Sequence, residues 1–164
     1  MRKLYFIVLL FCSMCIFAQN QNDTVKNNRD SLITVTNEIQ QEMLLQAIIN
    51  IESNGNPNAI SKDGSCVGIL QIKKVVVNDC NEYLKSKGKK KRYSYKDRLD
   101  SIKSKEMFYL IEERYRNYKR YRSSSLLEHS IRLWNGGCNY SKHKTQTYFK
   151  KVINEYNKLK KARH

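Results

Sequence analysis

The stretch Ala47-Ile-Ile-Asn-Ile-Glu-Ser-Asn-Gly-Asn-Pro-Asn-Ala-Ile-Ser61 changes character in its middle, and that change decides how the chain is read. Its first residues continue a pattern in which Ile39, Met43, Ala47, Ile48 and Ile51 recur at helical spacing. One face of a helix over Glu38–Ile51 therefore turns into a core. The second half cannot continue that helix, because Gly55, Pro57 and Asn54, Asn56 and Asn58 are turn formers. Glu52 falls at the junction. A carboxyl group there can stand at the mouth of a cleft with one edge against apolar groups. In such partly dry surroundings it stays protonated near neutral pH and can serve as a general acid. Position alone does not separate this role from that of a solvated helix-end glutamate, because exposed glutamate is the rule.

Downstream, Ser61-Lys-Asp-Gly-Ser-Cys-Val-Gly68 forms a second glycine-bearing turn leading into Ile69-Leu-Gln-Ile72. Residues 74–86 read as a helix and Gly88–Arg92 as a loop. Leu99, Ile102, Met107, Leu110, Ile111, Tyr115 and Tyr118 mark a long helix from about Asp97 to Tyr121. Leu126, Leu127, Ser130, Ile131 and Trp134 mark another, stopped by Gly136-Gly137. A last helix, capped by Thr145, carries Tyr148, Val152, Ile153, Tyr156 and Leu159. No alternating strand pattern and no internal repeat appear, so the fold class is mainly α.

Upstream, Arg2 and Lys3 precede an apolar stretch from Leu4 to Phe17, and Ala18 follows it. This is the order of a secretory signal peptide, expected over residues 1–18, with the mature chain starting near Gln19. An uncleaved N-terminal anchor is the alternative. Residues 19–36 are polar and read as a flexible lead-in, leaving 37–160 as a single domain. The expected location is therefore the cell envelope, periplasmic or extracellular. Cys12 and Cys15 belong to the apolar stretch. Cys66, Cys80 and Cys138 remain, an odd number that allows at most one internal bridge.

Lys and Arg number 31 against 15 acidic residues, for a net charge of +16. Fifteen basic residues lie between Lys85 and Arg122, against five acidic ones. Outside the membrane, such a run suits anionic wall polymers or lipid head groups as well as nucleic acid. It names partners, not chemistry.

The segment Glu52-Ser-Asn-Gly-Asn-Pro-Asn-Ala-Ile-Ser61, with Gly64 and Gly68-Ile-Leu-Gln-Ile72, closely resembles the signature of the soluble lytic transglycosylases. Ile131-Arg-Leu-Trp-Asn-Gly-Gly137 resembles that family's Ala-Tyr-Asn-x-Gly segment, and Thr145-Gln-Thr-Tyr148 its late Glu-Thr-x-x-Tyr element. The three pieces stand in the family's order over about residues 38–157. The resemblance implies a lysozyme-like domain with a cleft, cleaving peptidoglycan glycan strands. It implies Glu52 as catalytic acid and base, with Ser53 orienting the carboxyl group or a substrate N-acetyl group. Gln71 would face the glycan, with Gly68 allowing close backbone approach. Trp134, Asn135 and Tyr148 would complete the sugar site.

Two residues depart from the family pattern. Trp134 stands where the family has Tyr, keeping an aromatic platform without the hydroxyl. Lys144 stands where the late element has Glu, replacing an acidic contact with a cation.

The signature supplies one carboxylate, whereas hydrolytic glycosidases generally pair two. Asp63 is the nearest second candidate, in a turn whose Asp content is expected anyway. One carboxyl group suffices if Glu52 protonates the leaving oxygen and then, as base, lets the muramic acid 6-hydroxyl attack its own anomeric carbon. The product is then a 1,6-anhydro sugar, which is the reaction the resemblance implies. No cofactor is implied, and metal chemistry is not expected, since His129, His143 and His164 form no ligand cluster. A lysozyme-type hydrolase on the same fold and a basic module that holds wall polymer or nucleic acid without cutting it are the competing readings. Secretion or conjugation machinery is a candidate partner; nucleic acid is not expected.

Overall fold

The structure is a computed structural model that describes residues 31–116 and 125–163. The expected signal peptide, Cys12 and Cys15, the lead-in up to residue 30, Tyr118 and Tyr121 lie outside the described residues. Two compact units divide between Gln41 and Glu42. In the first, residues 31–41 are helical and exposed. Residues 31–36, expected within the lead-in, are thus already helical. The Thr36 hydroxyl donates to the Leu32 carbonyl at 2.8 Å, a bond satisfied inside the helix without any burial. Ile39, expected on the core face, is also exposed.

The second unit begins with the helix α1, residues 42–53. There Met43, Leu44, Leu45, Ala47, Ile48 and Ile49 are all buried, which covers most of the helix circumference. Helix α2, Lys74–Ser86, buries Val77, Cys80 and Leu84 and packs against α3, Ser101–Tyr115. Helix α4, Leu126–Gly136, packs against α5, Gln146–Ala162. One core joins them, including Leu70, Ile72, Met107, Phe108, Ile131, Val152 and Tyr156. Among the described residues, β-structure is limited to the isolated antiparallel bridges Ile60–Val67 and Val67–Ile72.

The helix expected from Asp97 to Tyr121 is broken near its start. A 3-10 turn, Tyr95–Leu99, comes first, and α3 begins only after Asp100. The Asp100 carboxylate accepts from the backbone N–H groups of Ile102 and Lys103 at 2.9 and 3.1 Å, which fixes the new helix start. Ile102, expected on the core side, is 73% exposed in that first turn. Thr145 precedes α5 as expected but does not cap it with its side chain. Its hydroxyl donates to the Ser141 carbonyl and accepts from Arg132, each at 2.8 Å.

No disulfide joins Cys66, Cys80 and Cys138 to one another, so the single bridge that their number allowed is not formed. Cys80 is buried, its Sγ 3.5 Å from the Met107 carbonyl, and burial pushes the thiol up to about 12.

Between α3 and α4, Glu112 accepts a short hydrogen bond from the Ser130 hydroxyl. Its other oxygen is buried with no hydrogen-bond partner among the described residues. Burial raises this carboxyl to about 7, against the opposing pull of Ser130 and Arg116. A raised carboxyl favours the folded state fully below its unfolded value of 4.5, and that contribution is lost as pH climbs to about 7. Glu112→Gln is therefore expected to lose less thermal stability than the wild type between about pH 5 and about pH 8. Melting curves at the two pH values check this; parallel losses would contradict the assignment.

Candidate active site

The end of α1 and the turn Gly68–Gln71 build the site. Val67 and Ile72 exchange backbone hydrogen bonds at 3.2 and 2.9 Å, closing the turn between them. Gly68 adopts φ +81, a left-handed conformation that favours glycine. A Cβ at this position would stand 1.8 Å from the Arg98 carbonyl oxygen, so the expected close backbone approach is made to Arg98. Arg98 is itself buried. Its guanidinium donates to the Ile72, Ser65 and Tyr95 carbonyls at 3.0, 3.3 and 2.9 Å, which satisfies a buried cation with backbone oxygens. Gln71 also has positive φ, 47°. Its side-chain amide holds that strained conformation by donating to the Gly68 and Ala59 carbonyls at 2.9 and 3.2 Å. Ser53 donates to the Ile69 carbonyl at 2.8 Å, which ties α1 to the turn.

Glu52 lies half-buried in the last turn of α1 and lines a cleft of about 710 Å³. Its Oε1 accepts a 2.6 Å hydrogen bond from the Tyr148 hydroxyl on α5. Burial raises the Glu52 carboxyl above the ordinary range, while the Tyr148 hydrogen bond and the charge of Lys73 oppose the shift. The Tyr148 phenol is pushed well up by burial and by the neighbouring carboxyl, so it stays a donor. Asn50, one turn before the end of α1, donates to Glu155 on α5 at 2.9 Å and holds the two helices in register.

The opposite wall comes from the end of α4. Trp134 is half-buried, its ring 5.1 Å from that of Phe108 and tilted by 56°, and it lines the cleft with the exposed Asn135. Glu52, Gln71, Trp134 and Asn135 thus share one cleft, while Gly68 and Ser53 shape the turn behind it and Tyr148 grips the carboxyl. Lys144 is exposed and is not among the cleft-lining residues.

Asp63, the nearest second carboxylate in sequence, is also absent from the lining. It accepts from the Ser61 hydroxyl at 2.6 Å and from the Ser65 N–H and hydroxyl. These bonds draw it down to about 2 and use it to hold the turn. Asp79 and Glu82 on α2 do line the cleft. Asp79 pairs with Arg114 at 2.9 Å and accepts from the Tyr115 hydroxyl at 3.1 Å.

A profile of the transglycosylase SLT domain matches residues 33–157. The chain belongs to this lysozyme-like family. No curated protein and no solved structure matches it significantly. The SLT-domain family comprises peptidoglycan lytic transglycosylases, and the mainly helical architecture is the one expected of it.

Motif reasoning missed the brace behind this SLT-domain cleft. Arg132, within the apolar run of α4, is buried and donates to Glu128, the Lys142 carbonyl, Thr145 and Gln146, each at 2.8 Å. Its guanidinium also stands 4.4 Å from the Phe149 ring centroid. It clamps α4, which carries Trp134, to α5, which carries Tyr148. An arginine inside an apolar helical face was the available signal, because buried arginine occurs almost only with partners.

Proposed function

We propose that the protein is a peptidoglycan lytic transglycosylase that cleaves the MurNAc–GlcNAc β-1,4 bond without consuming water. The observation that carries this reading is Glu52: a half-buried carboxyl with raised proton affinity, gripped by Tyr148 at 2.6 Å inside a glycan-sized cleft. Protonated Glu52 gives its proton to the glycosidic oxygen as the bond to the muramic acid anomeric carbon breaks. The resulting carboxylate then takes the proton of the 6-hydroxyl, whose oxygen closes on that carbon to give the 1,6-anhydro sugar and regenerate the acid. Trp134 offers an aromatic face to a sugar ring; Gln71 offers its amide oxygen, and Asn135 its amide group, to the polar edges of the sugar. Ser53 and Gly68 act by shaping the turn.

The products test this. The mature chain incubated with purified peptidoglycan should release muropeptides one water lighter than hydrolytic ones, as read by mass spectrometry. Reducing-end muropeptides would instead support a lysozyme-type hydrolase, with Asp79 or Glu82 as the second carboxylate.

The Tyr148 hydroxyl stabilises ionised Glu52, so its removal should push the carboxyl further up. Tyr148→Phe is expected to move the basic limb of the kcat/KM profile to higher pH, because Glu52 remains protonated longer. An unmoved or lowered limb would contradict the assignment.

We also propose export by residues 1–18 and docking on anionic wall polymer by the exposed part of the basic run. Lys85, Lys87 and Lys89 to Arg92 are exposed, whereas Arg98 is buried and Arg114 is paired with Asp79. Binding to purified sacculi should weaken as salt is raised. Salt-independent binding would overturn this docking proposal.

A further inference from the structure

Lys73 stands at the start of α2 and lines the same cleft as Glu52. Among the described cleft-lining residues it is the one cation, against the carboxyl groups of Glu52, Asp79 and Glu82. In a chain of net charge +16, such a sparse placement of positive charge makes a single lysine a chemical marker. The side chain is exposed and makes no hydrogen bond or ion pair with the described residues. Its neighbour Lys74 is engaged elsewhere, with Nζ 5.3 Å from the centroid of the Tyr95 ring. The charge of Lys73 reaches Glu52, whose carboxyl it holds lower than burial alone would. An ammonium with no hydrogen-bond or ion-pair partner among the described residues thus stands in the same cleft as the acid.

We propose that Lys73 is a specificity-determining residue that pairs with a substrate carboxylate at the reacting muramic acid. The inference rests on the transglycosylase reading of the cleft. Muramic acid differs from its glucosamine neighbour by a lactyl ether. That group ends in a free carboxylate on peptide-free strands and in an amide where a stem peptide is attached. The stem peptide brings carboxylates of its own. Both sources offer the same chemistry, a carboxylate one short arm from the ring, and an ammonium on a flexible stem can meet either. Pairing of this ammonium with a carboxylate is charge-assisted.

The test compares wild type and Lys73→Met on three substrates: intact peptide-bearing strands, peptide-free strands with free lactyl carboxylates, and peptide-free strands with those carboxylates converted to methylamides. Assayed on the acidic side of the Glu52 limb, where that carboxyl is protonated with or without the Lys73 charge, Lys73→Met is expected to raise KM about tenfold on carboxylate-bearing strands, with kcat within about twofold, and to leave the methylamide strands unchanged. A KM rise confined to intact strands assigns the stem-peptide carboxylates; a rise on peptide-free acid strands assigns the lactyl group. Equal effects on acid and methylamide strands, a loss confined to kcat, or no effect on either acid substrate overturns the proposal. Wild type that cleaves none of the three would defeat the transglycosylase reading itself, a result distinct from an active enzyme indifferent to Lys73.

Discussion

Glu52→Gln is expected to lower kcat/KM for glycan cleavage by about a thousandfold or more, with little change in fold. The amide has the shape of the carboxyl group, and its oxygen can still accept the Tyr148 hydroxyl, so the tie from α1 to α5 survives. It has no proton of useful acidity to give the leaving oxygen and no basicity to accept the 6-hydroxyl proton afterwards. Both steps therefore lose the same group. One positioned general acid typically contributes about 10²- to 10⁴-fold, and a thousandfold corresponds to about 4 kcal/mol of transition-state stabilisation. Asp63 offers no rescue, being drawn down to about 2 and held in its own turn. Cleavage assays paired with thermal melts check this result. An active variant within tenfold of wild type would remove Glu52 from the chemistry, and Asp79 or Glu82 would have to be considered.

The second large effect is on stability. Gly68→Ala should cost about 3 kcal/mol or more, because two costs coincide there. A left-handed backbone is unfavourable for any residue with a Cβ, by about 1–2 kcal/mol. That Cβ would also stand 1.8 Å from the Arg98 carbonyl oxygen, and a backbone atom cannot swing aside as a side-chain tip can. The turn would have to move off the 3-10 segment Tyr95–Leu99, taking with it the Arg98 bonds to Ser65 and Ile72 and the Ile69 carbonyl that holds Ser53. Activity should fall with stability, since Gln71 rides on the same turn. Gly64→Ala is the control: its φ is +68, but a Cβ there meets nothing within 4 Å. Only the backbone cost applies. Equal melting temperatures for the two variants would show that Gly68 and Arg98 do not pack as described.

Much of this architecture was legible in the chain because the responsible physics is local. The boundaries of α2 and α4, the stop at Gly136-Gly137 and the turn after Glu52 follow from apolar spacing and from glycine, proline and asparagine. The order of the three family segments was equally visible, and with it Glu52 as the residue to watch. Where local patterns misled, a neighbour or a cap overrode them. Apolar spacing ran continuously through Asp97–Tyr115, but the Asp100 carboxylate satisfied the first N–H groups of α3 and restarted the helix. Ile39 had the right spacing for the core yet lies in the exposed helical segment 31–41.

What the linear chain determined by itself was helix content, turn positions, charge and the single dense signature around Glu52. The tertiary structure alone decided how those parts act on one another. It set Tyr148 against Glu52 across 96 residues of sequence, Arg98 behind the Gly68 turn, and Arg132 as the brace between α4 and α5. It also placed Lys73 in the cleft with no hydrogen-bond or ion-pair partner among the described residues, and set Asp63 outside the lining. The physical reason is that helix and turn formation depend on neighbours a few residues away. A carboxyl group's acidity and a cation's availability depend instead on which distant groups burial brings within a few ångströms.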